Sequence, residues 1–98
     1  MTIHPETLSG TASSGTFNVS TVAHLKGILR QVLASPATST TQYDIKIVNN
    51  ASLTIYERTS ETGGLAEEVA LPMFGSYTVT ISNSTVDELF TIHLVVEE

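Results

Sequence analysis

The side chains with the most obvious chemistry are the three histidines, His4, His24 and His93. Three imidazoles are enough for a zinc centre. Ligand pairs on one strand or one helical turn need short, regular spacing, and neither HxH nor HxxxH occurs here. His4 lies near the N-terminus, and His93 takes the polar face of an alternating run. They read as surface or packing residues, and no metal is expected. Acidic pairs occur at Glu67-Glu68, Asp87-Glu88 and Glu97-Glu98. Paired carboxylates serve glycoside hydrolysis or calcium binding. Adjacent residues on a strand point to opposite faces, so none of these pairs makes a site alone. Asp87 and Glu88 are the first place to look for calcium.

Serine and threonine are plentiful, but no GxSxG or SxxK arrangement sets up a nucleophile. Gly63-Gly64 is not followed by GK[ST], so it is a hinge and not a phosphate cradle. The chain has no cysteine, hence no disulfide and no thiolate chemistry. No catalytic residue, no cofactor and no enzyme activity are expected. The N-x-[ST] triplets at Asn18, Asn50 and Asn83 are discounted, because a chain this rich in Ser and Thr yields them by chance.

Charge narrows the partners. Four Lys and Arg stand against ten Asp and Glu, a net charge of −6, with no basic cluster. Nucleic-acid phosphates need concentrated cations, so nucleic acid is excluded as the main partner. MTIHPETLSG has neither a basic start nor an apolar run, so no signal peptide is visible. No apolar stretch approaches the roughly 20 residues of a membrane helix, and no membrane partner is expected. Charged residues are 14% of the chain, against about a quarter in typical soluble domains.

The elements that must hold these residues read mainly as β. Tyr77, Val79 and Ile81 alternate with Thr78, Thr80 and Ser82. Phe90, Ile92, Leu94 and Val96 alternate in the same way with Thr91, His93 and Val95. A period of two puts each set on one face of a sheet. The turn formers of Asn83–Asp87 suggest a hairpin between these strands, with their apolar faces in the core. Tyr43, Ile45 and Ile47 form another strand, and Asn49–Ser52 is a hairpin turn into Leu53 and Ile55. Gly15–Val19 could be a strand. Arg58–Gly64 reads as a flexible loop, and Leu65–Pro72 as an edge strand or one helical turn.

Val22–Leu33 is ambiguous. Val22, Leu25, Ile28, Leu29, Val32 and Leu33 fit an amphipathic helix. As a strand, Leu25, Leu29 and Leu33 share one face, with Ile28 and Val32 on the other. Gly27 disfavours a helix interior, and the strand is preferred. It is then apolar on both faces, one of them available to another subunit. Ninety-eight residues make one small domain. The expectation is an all-β antiparallel sandwich or jelly roll of about six to eight strands over residues 15–98. Residues 1–14 form an extended N-terminal arm carrying Ile3 and Leu8. Ile3, Leu8, Val22, Leu25, Ile28, Leu29, Val32 and Leu33 are the candidate interface residues of a homo-oligomer, which supports a small core without disulfides.

Two runs carry a resemblance. Ser35–Ile47 (SPATSTTQYDIKI) and Gly75–Glu98, with SYTVTISN followed by DELFTIHL, resemble small β-sandwich virion proteins of tailed bacteriophages. The resemblance covers residues 15–98 and brings no active site with it. It implies a capsid decoration or cement subunit, or a tail or connector ring component. The subunit would fold in the host cytoplasm and meet the major capsid or tail proteins of its particle. The alternative of another class is an immunoglobulin-like binding or adhesion module. A start at Met1 without a signal, and an end just after the last strand, favour a complete gene product over an excised module.

Overall fold

The computed structural model describes residues 2–21 and 25–98; the expectations placed on Val22 and His24 lie outside the described residues. Eight strands follow one another: β1 (Ile3–Ala12), β2 (Phe17–Ser20), β3 (Leu25–Pro36), β4 (Gln42–Asn49), β5 (Thr54–Thr62), β6 (Leu65–Gly75), β7 (Tyr77–Ser82) and β8 (Glu88–Glu97). They form two four-stranded sheets, ordered β1-β8-β3-β6 and β2-β7-β4-β5, with every pairing antiparallel. Only the β4–β5 link stays within one sheet; every other link crosses between them. This is the wiring of a jelly roll. It differs from the strand order of an immunoglobulin domain.

The core lies between the sheets. Tyr77, Val79 and Ile81 point into it from one side, and Phe90, Ile92, Leu94 and Val96 from the other. Their apolar faces meet as the alternation predicts, but β7 and β8 are not a hairpin. They belong to opposite sheets and stack face to face. The polar link Asn83–Asp87 makes the crossing with positive φ at Asn83 and Asp87. Two of its amides bond to the end of β1 and the link that follows it: Asp87 N donates to Ala12 O (2.7 Å) and Ser84 N to Gly15 O (3.0 Å).

The ambiguous segment is a strand from Leu25 on. A register shift between Leu29 and Gln31 inserts Arg30 as an extra residue. Such a bulge reverses which face the following side chains take. Leu25 and Leu29 therefore enter the core, and so do Val32 and Ala34, while Leu33 turns outward. The expected shared face of Leu25, Leu29 and Leu33 is corrected accordingly.

The segment expected as an N-terminal arm is largely β1. It pairs with β8 from Ile3↔Glu97 to Ala12↔Glu88, and it sinks Leu8 and Ala12 into the core. The loop expected over Arg58–Gly64 is mostly strand. β5 continues through Thr62, and Gly63, with φ 71°, makes the turn into β6. β6 is the edge strand anticipated at Leu65–Pro72, extended to Gly75. The hairpin turn at Asn49–Ser52 is as expected. Asn49 Oδ1 accepts from the amides of Ala51 (2.9 Å) and Leu53 (3.0 Å), and Ser52 has φ 63°.

Candidate interaction surface

The residues that could do chemistry are held apart, and most are engaged in pairs. Among the described residues, no group of three His, Asp or Glu side chains could hold a metal ion. His4 Nε2 lies 3.2 Å from Glu98 Oε2, and His93 Nδ1 lies 3.1 Å from Thr7 Oγ1. Glu88 turns inward, and its carboxylate accepts from the Thr38 amide at 2.6 Å. Its neighbour Asp87 stays exposed in the link. Glu97 pairs with Arg30 at 3.1 Å. Glu67 and Glu68 diverge as strand geometry requires: Glu67 reaches Tyr56 and Arg58 on β5, and Glu68 faces outward.

Two small networks shift proton affinities. The Glu67 carboxyl is held below its ordinary range by Arg58 and then by the Tyr56 hydroxyl. Burial, followed by the bond to Glu67, pushes the Tyr56 phenol up. Arg58 also lies over the Tyr56 ring, 4.8 Å from its centroid. Asp44 is lowered by the Ser60 amide (2.8 Å) and by Asn83 Nδ2 (2.6 Å). Both networks tie strands or links together. In the interior, Tyr43 is fully buried, donates to Gly63 O at 2.8 Å, and meets Phe90 edge-on with ring centroids 4.9 Å apart.

What remains is the surface, and its two broad faces differ. The outer face of β2-β7-β4-β5 carries Asn18, Ser20, Thr78, Thr80, Ser82, Asp44 and Lys46, which are polar. The outer face of β1-β8-β3-β6 mixes apolar side chains with polar and charged ones. The registers align Ile3, Glu97, Ile28 and Pro72 in one row. Pro5, Val95, Gln31 and Glu68 form the next, and Thr7, His93, Leu33 and Ala66 the third. Ala70 and Phe74 extend this face along β6, and Phe74 is 72% exposed. A shallow depression of about 380 Å³ lies on it between Ile3, Arg30, Gln31, Glu68, Val69 and Glu97.

The candidate interface residues divide between this face and the core. Ile3, Ile28 and Leu33 lie on the outer face. Leu8, Leu25, Leu29 and Val32 are buried in the chain's own core. Val95 and Pro72 complete the face and were missed by the sequence reading. Val95, like the exposed Leu89, is an apolar residue on the otherwise polar side of β8, which is the signal that could have found it.

No protein-family model matches the chain, and no curated protein matches it in sequence. Solved structures do match in shape. The Yersinia pseudotuberculosis-derived mitogen superimposes with a TM-score of 0.58 at 13% identity, covering 97% of this chain and 87% of that one. PliG of Aeromonas hydrophila, a periplasmic inhibitor of g-type lysozyme, gives 0.51 at 11% identity, covering 95% of this chain and 85% of that one. The VP2 subviral particle of infectious bursal disease virus matches at 0.42 and 12% identity, over 98% of this chain and 33% of that one. At these identities the likeness is one of fold alone: the described residues form a small jelly roll.

Proposed function

We propose that this chain is a structural subunit of a virus particle, and within that class a capsid decoration or cement protein of a tailed bacteriophage. The observation that carries the reading is the set of apolar side chains, Ile3, Ile28, Leu33, Val95, Pro72 and Phe74, displayed among polar ones on the outer face of β1-β8-β3-β6 while the core between the sheets is filled by others. Such a face serves contact with other chains. The sequence resemblance of Ser35–Ile47 and Gly75–Glu98 to phage virion proteins supplies the particle. A tail or connector ring position uses the same surface in the same way. On this reading the subunit folds in the host cytoplasm and then joins the major capsid or tail proteins.

The second reading, a free-standing binding module, is suggested by the fold it shares with a lysozyme inhibitor. Particles purified on a density gradient from the host that carries the gene separate the two. As a virion component, the chain is present in them at a fixed ratio to the major capsid protein by quantitative mass spectrometry. Its absence from purified particles removes the virion reading.

A further inference from the structure

We propose that the outer face of β1-β8-β3-β6 is the contact between two copies of this chain, packed face to face about a two-fold axis. This rests on the reading of the chain as an assembling subunit and names its first partner. Three observations select a second copy as the occupant.

The first is area. Four strands at about 4.8 Å spacing and ten residues at about 3.3 Å give a face of roughly 600 Å². Counted on both copies, this is about 1,200 Å², the lower end of a standard specific interface. The second is charge. The chain carries four Lys and Arg against ten Asp and Glu. Lys26, Arg30, Glu68 and Glu97 lie on this face, two of each sign. Two cations and eight acids are left elsewhere, so the whole net charge of −6 lies off the face. Two acidic chains can meet here without net repulsion, whereas a basic partner is drawn to the other surfaces.

The third is arrangement. The central strands are β8 and β3, with Glu97 on β8 and Lys26 and Arg30 on β3. A two-fold axis running along the strands between them lays β3 of each copy over β8 of the other. Cations then oppose acids, and the pattern is self-complementary as an isologous contact requires. Ile28, Leu33 and Val95 lie at its centre, each half-buried in the single chain.

Analytical ultracentrifugation at about 100 μM, above the micromolar Kd of a weak interface of this size, reads the outcome. The wild-type chain is expected at twice its mass of 10.5 kDa. Leu33→Lys and Val95→Lys each give a monomer with unchanged circular dichroism. Thr80→Glu, on the polar sheet opposite Lys46, stays dimeric. A further measurement does not depend on those variants folding. The chain has no cysteine, so Gln31→Cys places a single spin label in the middle of the face. Its label-to-label distance between copies should be far shorter than that for Lys46→Cys on the opposite sheet.

Self-association that survives Leu33→Lys and Val95→Lys, with a long Gln31 label distance, overturns this contact and leaves assembly intact. A wild-type monomer at this concentration overturns the two-fold pairing outright. The virion reading is still judged on its own by the content of purified particles.

Discussion

Tyr56 and Glu67 are eleven positions apart, on edge strands of opposite sheets, and the Tyr56 hydroxyl donates to Glu67 Oε1 at 2.6 Å. Arg58 grips the other carboxylate oxygen at 2.7 Å. Together they clasp the side of the sandwich where β5 and β6 meet. Glu67→Ala should lower the thermal midpoint and raise amide exchange in Leu65–Gly75 more than in β8. Equal exchange in both strands would show that the clasp holds nothing local.

The same carboxylate, with Asp44, contributes to the acid limb of stability. Both groups are depressed in the folded chain below ordinary values of 4.5 and 3.8. Their contribution is fully present above those values and is lost as pH falls through the lower folded ones. Urea midpoints of Glu67→Gln and Asp44→Asn should therefore fall less than wild type between about pH 5 and pH 2. Parallel curves for wild type and variants would refute the linkage.

At the alkaline end Tyr43 matters. Burial, and then the charge of Glu61, push its phenol from 10.0 up to about 12. A raised folded value means that its contribution is complete below pH 10 and fades as pH climbs toward 12. Tyr43→Phe should remove that part of the alkaline loss. At neutral pH it should cost about 1 kcal/mol, because Gly63 O loses its donor. Absorbance titration of tyrosinate alongside circular dichroism checks both.

Ile92 is fully buried in the middle of β8, and its neighbour Thr91 faces outward. Ile92→Ala should cost roughly 2–5 kcal/mol in chemical denaturation, as truncations of buried large aliphatics do. Thr91→Ala should stay within about 0.5 kcal/mol. The reverse order would mean that the strand is inverted.

Gly27 has φ 129°, and a Cβ there would run into the carbonyl oxygen of Glu97. Both the conformation and the space exclude a side chain. Gly27→Ala should destabilise by more than about 1 kcal/mol, the reverse of the usual gain from such a change. An unchanged denaturation midpoint would place β3 and β8 further apart than they are here.

These residues also show what could be read ahead of the structure. Tyr43, Ile45 and Ile47, Tyr77, Val79 and Ile81, and the even positions of β8 were legible, because each strand buries one face and alternation reports that directly. Partnership was not. β7 and β8 have the same period whether they lie side by side or stack across a core. The bulge at Arg30 has no residue-type signature, yet it decides that Val32 turns inward and Leu33 outward. That reversal split the candidate interface residues between core and surface. The polar run through Thr62 resembled a loop because an edge strand facing solvent needs few apolar residues. Ile3, Ile28 and Leu33 were in view as contacts, but only the register shows that Val95 and Pro72 share their face.

The pairing of Ile3 with Glu97 sets the order in which the molecule can form. β1 is the first of the eight strands to be made, and its partner is the last of them. β8 lies between β1 and β3, so the sheet stays in two pieces, β1 and the β3–β6 pair, until β8 is made. Until then Leu8 on β1 and Leu29 on β3 lack the strand that lies between them, and both strands offer open edges to any neighbour. Folding must be late, and slow for so short a chain. During synthesis the open edges of β1 and β3 invite aggregation until β8 fills the gap between them.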